Sequence, residues 1–195
     1  MTGRALDHQV YEVAVPFPAK VVRKNPSGGG TYVPHHLYTQ RLLLHFGRYD
    51  FELVTVLRGD VAGTPPNPQG TSARAKAGTP DLTNVVVGAV YRLRVVMDGE
   101  TMTIEEVGDC EQPHNWTTDG QRMKDAASDA LKRCCMRIGM GVHLYAKEPK
   151  DFILRDALRK KFEPDGTPED EDEEVVVGGE ERDVTQDDVS YESPS

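Results

Sequence analysis

The 195-residue sequence is poor in cysteine and in long apolar runs. Cys110, Cys134 and Cys135 are its three cysteines. That odd count, with two neighbours in a helical pattern, argues against a disulfide framework and for a reducing compartment, the cytoplasm. No apolar stretch approaches the ~18 residues a membrane helix needs. Nor does the N-terminus resemble a signal peptide: it has no apolar run and is broken by PFP at 16–18. A glycine-rich phosphate loop followed by lysine and Ser/Thr is missing, which supports independence of ATP. HHLYTQRLLLH at 35–45 carries three histidines but not the HExxH spacing of a zinc protease.

Charge is present but unevenly placed. The chain has 23 basic and 32 acidic residues, a formal net charge of −9. From Glu163 to Ser195 there are fourteen acidic residues and one basic residue, Arg182, so this piece carries −13. Residues 1–162 therefore hold 22 basic and 18 acidic residues, or +4. The run EDEDEE at 169–174 repels itself and buries nothing, so 163–195 is expected to be a disordered acidic tail behind a folded domain at 1–162. A mildly basic folded part is compatible with a polyanionic partner.

Along the chain, HQVYEVAV near the start alternates weakly like a short strand, and residues 16–30 read as a connector of prolines and glycines. A helix is expected from Pro34 to Phe46, stopped by Gly47. FELVTVLRGDV at 51–61 reads as a strand, and 62–80 as a functional loop or flexible excursion carrying Arg74 and Lys76. Strands at 84–98 and 101–109 flank Asp98-Gly99, a hairpin signal. Period two places Val87, Ala89, Tyr91, Leu93 and Val95 on one face of the first, and Val90, Arg92, Arg94 and Val96 on the other. Next comes the clearest pattern in the chain. Met123, Ala126, Ala127, Ala130, Leu131, Cys134, Cys135 and Ile138 form one apolar helical stripe. Thr117, Thr118 and Asp119 are its N-cap candidates, and Gly139 and Gly141 end it. A last helix is expected at about 149–161. The expected fold is α+β: a small antiparallel three-stranded sheet packed by a long amphipathic helix.

Lys132, Arg133 and Arg137 lie away from that stripe, with Asp129 four residues before Arg133 as a helix partner. On the residues alone they read as a solvated helix face. DALKRCCMRIGMGVHLY at 129–145, however, resembles the final helix and glycine turn of the Rad-fifty-two-type single-strand annealing proteins, above all their phage and bacterial branch. PFP at 16–18, GGGTYV at 28–33, QRLLLHFG at 40–47, MDGET at 97–101 and EEVGD at 105–109 resemble further family segments in the same order. The resemblance spans about 16–145. It departs from the family at Met136, where eukaryotic members carry a further arginine, at Ile138 for phenylalanine and at Phe51 for tryptophan. The arginine that eukaryotic members place before the first helix is absent near Leu37, leaving Arg41 as a substitute.

The resemblance implies a homo-oligomeric ring that binds single-stranded DNA in a basic groove and anneals complementary strands in homologous recombination without ATP. It implies no cofactor and no catalytic residue, and partners such as an exonuclease or a single-strand-binding protein. If phage-encoded, the protein would work in the bacterial host cytoplasm. Its DNA-binding candidates are Lys132, Arg133, Arg137 and Arg41. Arg92 and Arg94 read either as charges of an open sheet face or as DNA contacts, Arg74 and Lys76 as a second DNA contact or none. Tyr32 and Tyr49 read as core residues or as base-stacking rings.

Two rival readings stand beside annealing. Cys110, His114, Cys134, Cys135 and His143 invite a zinc-dependent enzyme acting on nucleic acid, with Glu111 as base, although their spacing is poor. A ring-forming scaffold that does not use DNA is the other. The acidic tail is read as a solubilising segment or as a competitor for the basic groove; in the second case its deletion strengthens DNA binding at low salt.

Overall fold

The computed structural model describes residues 8–25, 30–97, 99–146, 152–154, 157 and 160. The acidic tail, and all of the expected last helix but Phe152, Ile153, Leu154, Ala157 and Lys160, lie outside the described residues.

Residues 8–14 correct the sequence-based expectation. His8–Ala14 is a helix, α1, and not a strand. Val10, Val13 and Ala14 are spaced i, i+3, i+4, so the same valines serve a helical face, and Val13 and Ala14 are fully buried. Docking onto the core overrides their strand propensity, and the Gln9 side-chain amide donates to the His45 carbonyl at 3.1 Å. The connector after it is also more ordered than its composition suggests: Arg23–Lys24 (β1) and Thr31–Tyr32 (β2) pair as an antiparallel ribbon.

The helix expected before Gly47 is present as α2, His35–Phe46, which buries Tyr38 and Leu42. Gly47 ends it with a φ of +67°, the left-handed region that a glycine enters without strain. Strand β3, Asp50–Val61, leads into the 62–80 excursion, and β4, Leu82–Met97, and β5, Glu100–Asp109, follow. The three make one antiparallel sheet in the order β3-β4-β5. The excursion carries a short helix, α3, Ala73–Ala77, and a long helix, α4, Asp119–Arg137, packs across the sheet. This is the α+β fold expected from the sequence, with a three-stranded antiparallel sheet under a long helix.

Strand β4 departs from simple alternation at Val87. Ala89, Tyr91, Leu93 and Val95 are buried as expected, but Val86 is buried in place of Val87. The cause is a bulge. Leu57 pairs with Gly88 and Arg58 with Val86, so Val87 is an extra residue and the facing of the strand flips there. On its other edge β4 keeps register with β5, where the Val87 carbonyl accepts the Cys110 backbone N–H at 2.9 Å.

The core joins α1, α2, β4 and α4 through Val13, Tyr38, Leu42, Leu93, Val95, Leu131, Cys134, Cys135 and Ile138. Central strand β4 is buried on this face, whereas edge strand β3 leaves Leu53, Val54, Val56 and Leu57 exposed. Among the described residues no helix is long and apolar enough to cross a membrane.

Candidate nucleic-acid interface

The start of α4 is fastened by groups that its sequence supplies locally. Thr118 and Gln121 form a reciprocal capping box that satisfies orphan backbone donors of the first turn. Asp119, at the positive end of the helix, accepts from the Val86 backbone N–H at 3.3 Å and pairs with Arg58 at 2.9 Å and Arg122 at 3.0 Å. The Val86 hydrogen bond first, then the two arginines, hold its carboxyl below the usual range.

Arg122 is a site-building residue that the sequence reading does not single out. It is 5% exposed, and it donates to the Pro113 carbonyl at 3.1 Å and the Trp116 carbonyl at 2.7 Å as well as to Asp119. The guanidinium thus clamps the turn that enters the helix. A signal for it is present: Arg122 stands one turn before Ala126, in line with the apolar row 126–130–134.

The middle of α4 lies unusually close to β5. A Cβ added at Gly108 would sit 1.9 Å from the Ala126 carbonyl oxygen and 2.7 Å from the Ala130 nitrogen. No residue but glycine fits there, and alanines at 89, 126 and 130 complete the thin seam. This close approach carries the last two turns of α4 along β5 and sets which side chains share that edge.

Lys132, Arg133 and Arg137 are brought together there, and they meet carboxylates. Arg133 Nε bonds Asp129 at 2.6 Å, and its Nη2 lies 3.7 Å from Asp109. Lys132 Nζ lies 3.9 Å from Asp129, and Arg137 pairs with Glu106 of β5. The hydrogen bond to Asp129 is the main reason that the Arg133 pKa is raised. Arg137 remains 69% exposed despite its pair. Tyr145, just past the glycine turn, is 67% exposed and close enough to feel the charges of Asp129 and Arg133. It is absent from the sequence-based candidates, although it stands in the segment that carries the resemblance. An exposed ring beside cations has the chemistry of a stacking surface for a base.

The other candidates lie elsewhere. Arg92 and Arg94 project from the sheet face opposite α4, between the buried Tyr91, Leu93 and Val95. There Arg92 bridges Glu52 at 2.9 Å and Glu105 at 2.5 Å, and Arg94 reaches Glu52 at 2.7 Å. Arg41 is half-buried, donating to the Val15 carbonyl at 2.5 Å and the Pro16 carbonyl at 3.4 Å while its guanidinium lies 3.9 Å over the Phe17 ring. Burial lowers its pKa. It braces the connector that follows α1. Arg74 and Lys76 sit on α3, whose Ser72 cap accepts from the Ala75 N–H at 3.0 Å. The excursion around them is closed by backbone bonds between Thr64 and Thr79 at 3.0 and 2.8 Å. Both cations are exposed and have no ion-pair partner among the described residues. Tyr49 is half-buried against the core, and Tyr32 is half-buried on β2.

The cysteines and histidines do not assemble into a metal site among the described residues. Cys110, Cys134 and Cys135 are buried and free. Burial pushes the Cys110 and Cys134 thiols up to about 11 and that of Cys135 higher still, so they stay protonated and behave as small apolar groups. His114 Nε2 lies 3.0 Å from the Pro80 carbonyl. His143 is buried and accepts the Phe17 backbone N–H on Nε2 at 3.2 Å; its Nδ1 has no partner among the described residues.

Residues 67–161 match the model of the Rad52/22 family of double-strand break repair proteins. The matching stretch runs from the 62–80 excursion through β4, β5 and α4 and contains all the candidate cations except Arg41. No curated protein matches the chain.

Proposed function

We propose that this protein binds single-stranded DNA along the β5–α4 edge and anneals complementary strands, without ATP, in homologous recombination or break repair. The observation that carries this reading is the gathering of Lys132, Arg133 and Arg137 at one exposed edge within the stretch that matches the Rad52/22 family. Arginine and lysine there hold phosphates, which gives affinity without base preference and leaves base edges available for pairing.

Three cations are few for a stable complex, so repetition by oligomerisation supplies the rest. β3 and β5 are the outer strands of the sheet, and β3 exposes Leu53, Val54, Val56 and Leu57 on a 12-residue edge with no proline. An exposed apolar edge of that length is a template for another chain, although its bulges and charges limit where pairing can start. A closed ring of such protomers turns a short cationic edge into a continuous track. Arg74 and Lys76, without ion-pair partners on their excursion, are candidates for a second DNA contact. The phage or bacterial branch is the source favoured by the resemblance of 129–145.

The test mixes two complementary fluorescent oligonucleotides with the purified protein, without ATP, at low and high salt. Annealing faster than the protein-free control and fading with salt is the expected result. Folded protein that gives no acceleration at low salt overturns the reading. In that event the exposed β3 edge favours a scaffold, which keeps both its oligomer and its activity in the Lys132→Ala, Arg133→Ala double variant.

A further inference from the structure

The cationic edge has internal counter-ions. Lys132, Arg133 and Arg137 contribute three positive charges, and Glu106, Asp109 and Asp129, each within ion-pair distance of at least one of them, contribute three negative charges. The edge sums to zero. This balance is built from two elements, since Asp129 belongs to α4 while Glu106 and Asp109 come from β5. Asp129 also accepts the Asp109 backbone N–H at 3.2 Å, so it ties the strand to the helix as well as meeting the cations. Glu106 and Asp109 have no such structural task in the described hydrogen bonds: their carboxylates face Arg137 and Arg133.

Resting on the annealing reading, we infer that Glu106 and Asp109 are positioning residues that temper phosphate binding. They hold Arg137 and Arg133 extended along the edge and compete with the DNA backbone for them. A phosphate that reaches Arg133 must displace Asp109 or share the guanidinium with it, and one that reaches Arg137 meets Glu106. Competition of this kind weakens each contact and speeds its release. An annealing protein needs both properties, because the paired product must leave the surface that gathered the single strands. It also has a thermodynamic signature. A net-neutral edge neutralises few phosphates, so fewer counter-ions leave the DNA on binding than three free cations would release.

The experiment measures oligothymidylate binding to the full chain across a salt series, with wild type, E106Q, D109N, their double variant and K132A/R133A. The amide in E106Q keeps an oxygen for Arg137, and the amide in D109N keeps one for Arg133. Each substitution therefore removes charge while leaving a hydrogen-bond acceptor. The double variant is expected to bind about tenfold tighter. Its salt dependence should steepen by roughly one unit of slope, given a slope near −0.7 per phosphate for single strands. Oligonucleotide should also leave it more slowly. Affinity and slope that are unchanged or reduced in E106Q/D109N, while K132A/R133A destroys binding, overturn the tempering role and leave the annealing reading intact. If K132A/R133A binds like wild type, the annealing reading itself fails and the tempering role with it.

Discussion

Two sides of one helix answer to different demands. The side of α4 that meets the sheet is fixed at near-contact distance: Ala126 and Ala130 ride on Gly108, Leu131, Cys134 and Cys135 fill the core, and Arg122 locks the entry turn. The other side is polar and half-open, with ion pairs in which Arg137 is exposed while Lys132, Asp129 and Glu106 are partly covered. Solvent-screened pairs of this kind contribute about 1 kcal/mol or less to stability. The first side therefore determines where the helix lies, and the second is free to be adjusted for a ligand without endangering the fold. Substitutions on the two sides should separate cleanly into those that unfold the protein and those that change binding alone.

The largest effect belongs to the seam. Gly108→Ala drives a methyl into the Ala126 carbonyl, so α4 must lift from β5. A loss of at least ~3 kcal/mol is expected from overpacking against backbone, read as a fall in the urea midpoint. A variant as stable as wild type would show that the helix can shift cheaply, and the contrast between the sides would dissolve.

Arg122→Ala comes next. It strips donors from the Pro113 and Trp116 carbonyls and leaves Asp119 with one arginine fewer. Unmet buried acceptors put the cost at about 3 kcal/mol. Its thermal midpoint should drop while oligonucleotide affinity at low temperature, where the variant stays folded, holds.

How much of this is legible in the sequence depends on distance along the chain. The α4 stripe and its caps, the β4–β5 hairpin and the Asp129–Arg133 pair are local patterns of period 3.6, period two and i+4, and the structure contains each of them. Three features are not legible. The Val87 bulge arises from pairing with β3, some thirty residues away, so alternation alone misassigns one face. The α1 segment reads as a strand because a few valines satisfy both periods. The counter-ions Glu106 and Asp109 belong to a different element from their arginines, and only the Gly108 seam puts them side by side. The candidate site is thus half visible: its cations can be read from the helix, its carboxylates cannot.

A third effect is set by pH. Burial, with a smaller contribution from Arg41, depresses the His143 pKa from its ordinary value of 6.5 to about 4, so the fold binds the neutral ring. Stability from this group is complete above pH 6.5 and is lost as pH falls toward 4, by at most about 1.4 kcal/mol per pH unit. Urea midpoints at pH 7, 6 and 5 should decline for wild type and flatten across that window in His143→Leu. Parallel profiles would assign the decline to other groups.

The smallest effect sharpens the comparison most. Arg92 and Arg94 carry the same charge as Arg133 and Arg137 but lie on the sheet face opposite α4, spanned by Glu52 and Glu105. If phosphates follow the β5–α4 edge, a strand bound there does not reach these two arginines within the same protomer. The double variant Arg92→Ala, Arg94→Ala also leaves Glu52 and Glu105 exposed and hydrated, so it costs the fold little. Its oligonucleotide affinity is expected to stay within about twofold of wild type, with the salt slope unchanged. A loss as large as that of K132A/R133A would mean that the strand crosses the open sheet face. The DNA path would then be defined by β4 rather than by the far end of α4, and the outer side of the helix would lose its claim to be the adjustable one.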